Sequence, residues 1–233
     1  MKLSVVIPFY NEENMIQKMY DELVKEINQI TKAEFEIIFI NDGSKDRTFE
    51  KMRAIAAGDS RVKYISFSRN FGKEAGTIAG LEYATGEAVI LMDGDLQHPP
   101  ALLPQMIKAY EEGYDVVSAR RTRTGEKPHR TFLAKHFYRL ANKMMDIELM
   151  DGVSEFRLFS RKAVSAILSL QEYNRFSKGI FAWIGFKEKV IEYENQVRTV
   201  GETKYSLKFS LNYAIQGILS FNDKPLRMCI NFG

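Results

Sequence analysis

Only one cysteine, Cys229, stands in the 233-residue chain. A single thiol excludes an internal disulfide and any cysteine-clustered zinc site, and it suits a reducing compartment. Long hydrophobic runs are also missing: no stretch approaches the ~18 consecutive apolar residues of a membrane span. Nor does one sign of charge dominate. Lys and Arg number 33 against 30 Asp and Glu, a formal net charge of +3. That is too small to demand a nucleic acid as partner, yet it leaves room for a local basic patch facing phosphate or anionic lipid. Low-complexity tracts and internal repeats are absent, and 45% hydrophobic beside 27% charged residues excludes global disorder.

A chain of this length holds one large domain with a substantial core. Its first residues, MKLSVVIPFYNEE, carry one lysine and a short apolar run before acidic residues, which predicts a first strand and not a signal peptide. Its last, KPLRMCINFG, drift apolar without a helix stop, so the natural chain is expected to continue. Between them, apolar runs recur at Leu3 to Ile7, Phe35 to Ile40, Val62 to Phe67, Ala88 to Met92 and Asp115 to Ala119. Several are apolar on consecutive positions, as strands covered on both faces are. Helix-period stretches alternate with them: Met15, Ile16, Met19, Leu23, Ile27 and Ile30 share one face, as do Leu102, Leu103, Met106 and Tyr110 before Gly113. The alternation predicts an α/β fold with a mostly parallel sheet sandwiched by helices. Further on, a helix is expected over Phe132 to Met145, a short strand at FRLF, a helix from Arg161 and a strand at KVIEYE. The segment 206–221 places Leu207, Leu211, Ala214, Ile215, Ile218 and Leu219 on one helical face, a stripe that fits either a core or a membrane surface.

In open α/β sheets, ligands collect at the carboxyl ends of the strands. Here the five predicted strands are followed by PFYNEE, NDGSKDRT, SRNFGKE, DGDLQHPP and RRTR. Any one of these reads as a turn or a helix cap; five on one rim read as a site. Asp93 and Asp95, at i and i+2 with Gly94 between them, can share a hard divalent cation with a substrate diphosphate. Asp93 facing a ribose, or an Asp-Gly turn opening a helix, are the alternatives. Ending a buried strand in two carboxylates is costly unless cations or donors meet them. Beyond Ala119 the stretch RRTRTGEKPHR reads as an exposed loop, either merely solvated or gripping a phosphate.

VVIPFYNEE, NDGSKDRT, SRNFGKEAG, LMDGDLQHPP and FRLFSRKAV, in that order and over nearly the whole chain, resemble the family-2 inverting glycosyltransferases of GT-A (Rossmann-like) fold. Within that family the chain is similar to the polyprenyl-phosphate glycosyltransferases, relatives of dolichyl-phosphate mannose synthase and of the bactoprenol glucosyltransferases. The resemblance implies a nucleotide pocket lined by Pro8, Tyr10 and Glu12, with Asp42 on the base and Lys73 on the diphosphate. It implies Mg2+ or Mn2+ held by Asp93, Asp95 and Gln97, with Asp93 also serving the donor; His98 is set aside as part of a proline-fixed turn. Arg120, Arg123 and Arg198 are the expected grip on the acceptor phosphate, with Gly201 as a loop hinge. Glu155 and Asp95 are the catalytic candidates. Relatives carry aspartate where this chain has Glu155, one methylene longer; Asp151 is the fallback, and Arg157 fits either a core carboxylate or the acceptor.

The implied activity is transfer of a sugar, from UDP-glucose or UDP-GlcNAc as the common donors, to polyprenyl (undecaprenyl) phosphate with inversion. A lipid-linked sugar for cell-envelope glycosylation results, formed at the cytoplasmic face of the membrane. Residues 1–203 would be the catalytic domain and 204–233 an amphipathic juxtamembrane segment leading to transmembrane helices of the full-length protein. A saccharide hydroxyl as acceptor, or a non-catalytic nucleotide-sugar binding module, are the competing readings, and a homo-oligomer stays open. A lipid monophosphate, whose second pKa lies at about 6 in analogous esters, is already a charged nucleophile near neutrality and needs cations more than a strong base.

Overall fold

The uninterrupted apolar runs VVIPF and IIFI become central strands because both faces of their sheet are covered. The computed structural model describes residues 1–122, 142–143, 145, 147, 150–172, 175–194, 217, 220–222 and 230. Along the chain it contains β1 (Lys2–Phe9), α1 (Ile16–Ile27), β2 (Glu34–Asn41), α2 (Thr48–Gly58), β3 (Val62–Ser66), α3 (Lys73–Tyr83) and β4 (Ala88–Leu91). A single 3-10 turn, Pro100–Leu102, leads into α4 (Leu103–Glu111). Then come β5 (Val116–Arg121), β6 (Val153–Ser160), α5 (Arg161–Ser169), α6 (Ser177–Trp183) and β7 (Glu188–Tyr193).

These seven strands form one sheet in the order β3-β2-β1-β4-β6-β5-β7. All neighbours run parallel except β6, which is antiparallel to β4 and to β5. Alternate residues divide the core. Leu3, Val5, Ile7 and Phe9 face Ile16, Met19 and Leu23 of α1, Met52 of α2 and Met106 of α4. Val6, Ile38, Ile40 and Leu91 face Leu81 of α3, Val164 of α5 and Phe181 of α6. Helices thus lie on both faces, as expected of a mostly parallel sheet.

Two elements depart from expectation. The FRLF strand is twice as long, Val153–Ser160, because β6 is ladder-bonded on both sides, to β4 and β5, and its residues from Glu155 onward are all buried. The helix expected over Phe132 to Met145 and the stripe over 206–221 fall almost wholly outside the described residues, as does the boundary at 203. Phe221, however, packs beside Phe176 with ring centroids 6.5 Å apart, and a Cβ on Gly179 would come within 2.3 Å of its ring. At this point the last segment touches the folded unit. No helix among the described residues is long and apolar enough to cross a membrane.

Candidate active site

β2 and β3 lie to one side of β1, and β4 with the later strands to the other. This is the topological switch point at which such sheets bind ligands. Above the ends of β1, β2 and β3 opens a cleft of about 560 Å³, walled by Tyr10, Asn41, Phe49, Phe67, Arg69 and Asn70. Its floor is built by the rim motifs bonding one another. The Asn11 N–H donates to Ser44 Oγ and the Lys45 N–H to Asn11 Oδ1. The Glu12 N–H donates to Thr48 Oγ1, and Asp46 accepts from the N–H groups of Glu13 and Thr48. Much of NEE and NDGSKDRT is therefore scaffold. Glu12 contributes its backbone, its carbonyl accepting from Met15 and Ile16 at the entry to α1; Pro8 lies on the α3 side of β1, near Gly76.

Asp42 lies beneath the cleft, 3% exposed. Its two oxygens accept the N–H groups of Phe71 (2.7 Å) and Gly72 (3.0 Å), each keeping a further lone pair. Burial raises its pKa, partly opposed by those two donors. Gly43 beside it has φ +63, and a Cβ there would stand 2.2 Å from the carbonyl carbon of Arg69. A glycine is what lets the 69–72 segment descend onto β2. That descent also fixes where α3 starts, and Lys73 is its first residue.

Lys73 Nζ lies 2.6 Å from Asp93 Oδ1, across from the tip of β4. Burial by itself would raise the pKa of Asp93; the charge of Lys73 and the contact with His98 outweigh it and hold the carboxyl well below the usual range. His98 Nε2 is 3.4 Å from Asp93 Oδ2, and its Nδ1 is 2.6 Å from the Tyr193 hydroxyl at the end of β7. Gly94 packs against Phe9, for a Cβ there would fall 2.2 Å from that ring. Asp95 accepts the N–H of Gln97 at 3.1 Å, and Leu96 between them takes φ 57, so the stretch is a tight Asx-type turn. Among the described residues no group of three or more His, Cys, Asp or Glu converges on one point. The donor set here is oxygen only: two carboxylates and an amide. Such a set suits Mg2+ or Mn2+, which take few protein oxygens and complete their shells with phosphate and water. Asp93, held ionised beside the Lys73 ammonium at 2.6 Å, supplies such a set with an anionic oxygen.

On the far side of β4, the β6 register pairs Leu91 with Arg157. Continued by two residues, it sets Glu155, 9% exposed, abreast of Asp93. Arg157 is buried beside Glu188 (3.4 Å) and lies over the Phe181 ring (5.1 Å). Its burial lowers its pKa against the opposing charges of Glu155 and Glu188. Of its two expected roles it therefore takes the one beside core carboxylates. Arg120, at the end of β5, is half-exposed on the rim and loosely paired with Glu192 at 3.5 Å. Asp151 lies in the turn before β6. Arg123, Arg198 and Gly201 lie outside the described residues.

The strand ends thus place Tyr10, Asp42, Lys73, Asp93, Asp95, Gln97, Glu155 and Arg120 along one edge of the sheet, and of these Lys73 and Asp93 are in direct contact. Sequence reasoning missed Asn41, Arg69 and Asn70 in the cleft wall, and Tyr193. Applying the carboxyl-end rule to β7 as well as to the first five strands picks out Tyr193. His98, set aside as part of a turn, is buried against the acidic tip.

With this geometry in hand, comparison with known proteins is specific. The profile of Glycosyl transferase family 2 matches residues 4–168. CsbB of Bacillus subtilis (strain 168) is 52% identical over 231 residues, 99% of this chain and 70% of that protein. The bactoprenol glucosyl transferase of Shigella phage SfX is 41% identical over 234 residues, covering 100% of this chain and 76% of the phage protein. Among solved structures, glucosyl-3-phosphoglycerate synthase from Mycobacterium tuberculosis, in complex with Mn2+, UDP-glucose and phosphoglyceric acid, aligns with this chain at a TM-score well above one half. The value is 0.59, at 19% identity, over 93% of this chain and 77% of that one, and it shows a shared GT-A fold. Profile, relatives and fold agree: the chain belongs to glycosyl transferase family 2.

Proposed function

We propose that this glycosyltransferase moves a hexose from a nucleotide diphosphate sugar to a polyprenyl phosphate, inverting the anomeric centre and releasing the nucleoside diphosphate. The single observation that carries the reading is the adjacency of two sites. The wall of a nucleotide-sized cleft runs to Asn70, Asp42 fastens the next two residues, and Lys73, which follows them, meets the acidic tip Asp93 at 2.6 Å. The bactoprenol glucosyl transferase of phage SfX, alike over the full length of this chain, supports a polyprenyl phosphate as acceptor. The manganese and UDP-glucose of the mycobacterial structure support a divalent ion and a nucleotide sugar.

In this reading Tyr10 and Asn41 flank the base, and Lys73 with the amino end of α3 neutralises the diphosphate. Asp93, Asp95 and Gln97 would hold the Mg2+ or Mn2+. When bound, the ion supplies charge stabilisation to the departing diphosphate. Arg120 meets the incoming phosphate, joined by Arg123 and Arg198. The phosphate oxygen attacks the anomeric carbon, forming a new C–O bond as the bond to the diphosphate breaks on the opposite face. Because that oxygen is already anionic, no proton has to be removed, and cations at each end do most of the work. UDP-glucose or UDP-GlcNAc is the donor proposed, with the reaction on the cytoplasmic membrane face.

A saccharide hydroxyl acceptor is favoured by one observation, the burial of Glu155 on β6 two residues from Arg157, the partner of Leu91 at the end of β4, since a hydroxyl needs a base. One experiment addresses both. Purified protein is incubated with labelled nucleotide sugars, manganese and either polyprenyl phosphate or oligosaccharide, and again as the Asp95→Ala variant. Label is expected in the lipid fraction, falling by roughly 10²-fold or more in the variant. Unchanged lipid labelling in Asp95→Ala refutes the metal assignment; label only in oligosaccharide refutes the acceptor.

A further inference from the structure

We infer that His98 is a positioning residue for the acidic tip of β4: Tyr193 fixes its ring, and the ring fixes Asp93. The inference rests on the donor-binding reading above and gives a buried histidine outside the expected ligand set a part in it.

The ring is 8% exposed, wedged between Phe156 and Tyr193 with centroids 6.0 Å from each. Its two nitrogens meet different partners, Asp93 Oδ2 at 3.4 Å through Nε2 and the Tyr193 hydroxyl at 2.6 Å through Nδ1. An ionised carboxylate only accepts, so Nε2 must carry hydrogen to engage it. In the neutral imidazole Nδ1 is then the acceptor, and the phenol must donate to it. Tyr193 is suited to this: burial raises its pKa, keeping the O–H intact. The tautomer of His98 is thus chosen by its neighbour on β7, the arrangement by which outer partners orient a ligand in metal sites.

Asp93 is gripped from both sides as a result. Lys73 takes Oδ1 and His98 lies against Oδ2, so the carboxylate cannot turn without breaking one contact. At 3.4 Å the histidine contact is longer than an ordinary N–H···O hydrogen bond; its value is directional. A histidine that merely filled space would need neither polar partner, and Phe156 beside it already supplies apolar packing.

The test measures Mn2+ binding to the full chain by the loss of the free-ion paramagnetic resonance signal, with UDP or GDP present, for wild type and for His98→Leu, His98→Gln, Tyr193→Phe and the His98→Leu/Tyr193→Phe double variant. Thermal melting is followed alongside. Losing an outer-shell partner is expected to weaken Mn2+ binding about 10-fold or more in His98→Leu. His98→Gln, which keeps an N–H donor, should recover most of that affinity. Tyr193→Phe should weaken binding in wild type and add nothing in the double variant. Equal Mn2+ affinity in all variants overturns the inference, as does a double variant whose loss is the product of the two single losses. Should His98→Leu fail to fold, wild-type affinity in both His98→Gln and Tyr193→Phe overturns it equally. Wild-type protein that binds no Mn2+ with either nucleotide overturns the donor reading itself, a distinct result.

Discussion

Glu36, in β2, lies at the sheet end opposite the site and is 3% exposed. Its carboxylate accepts from Ser4 Oγ at 2.6 Å, from Lys63 Nζ at 2.8 Å and from both the N–H and the hydroxyl of Thr85. Burial alone would raise its pKa; Lys63 and the Ser4 and Thr85 donors outweigh burial and lower it from 4.5 to about 2. Because the folded value is depressed, the stabilisation is complete above the unfolded value and disappears as pH falls through the folded one. An ionisation moved this far is equivalent to about 3 kcal/mol at neutral pH, which solvent around the half-exposed Lys63 reduces toward about 2 kcal/mol. Glu36→Gln, which does not ionise and turns an amide toward Lys63, is expected to lose that amount at pH 7, or roughly 4–8 °C in Tm. Urea unfolding midpoints of both proteins at pH 7, near pH 3 and near pH 2 check this. The gap should fall to about half near pH 3 and nearly vanish near pH 2. A gap that is absent at pH 7, or that persists unchanged into acid, refutes the assignment of Glu36 as the ionised tie between β1, β2 and β3.

Two further substitutions probe the site's foundations. Gly94→Ala drives a methyl into the Phe9 ring, and overpacking of this kind costs about 1–3 kcal/mol; urea titration should show the loss, and an unchanged midpoint would mean the β4 tip yields freely. Arg157→Met leaves Glu155 and Glu188 without their buried cation. Breaking such a cluster costs about 3–5 kcal/mol, measurable as a lowered urea midpoint, and the Arg157→Met/Glu188→Gln double variant should lose clearly less than the sum of the two single losses. Equal stability would assign Arg157 to the acceptor after all.

The sequence was most legible where one physical rule acted alone. Continuous apolar runs fixed β1, β2 and β4 to within a residue or two, and spacings of three and four fixed α1 and α4. Chain direction was not legible: nothing in FRLF distinguishes an antiparallel strand between two parallel ones, because inward-facing residues look alike in either direction. Site residues divided in the same way. Lys73, Asp93 and Asp95 follow from strand ends and charge, whereas Asn41, Ser66 and Arg69 come to the cleft only because β2 and β3 are neighbours. His98 was hidden by its own context, since Pro99 and Pro100 announce a turn, and a turn residue is not expected to be buried against a tyrosine ninety-five positions away.

What distinguishes the two halves of the site is how each side chain is held. On the donor side the loops after β1 and β2 exchange hydrogen bonds, Asp42 fastens the loop after β3, and that loop sets the first residue of α3. Lys73 therefore reaches Asp93 through a chain of short contacts made by the protein's own groups, the condition under which positioning is not charged to the reaction step. Arg120 is held more loosely among the described residues: it is half-exposed and Glu192 lies 3.5 Å away. A rigid donor half beside a looser cationic rim is the order a transferase needs if the leaving group must be met at a fixed point while the incoming phosphate arrives on a long, mobile lipid. The same asymmetry explains why the residues proposed for the donor can be read from short motifs, each bound to a neighbour at fixed spacing, while those proposed for the acceptor are recognisable only by charge.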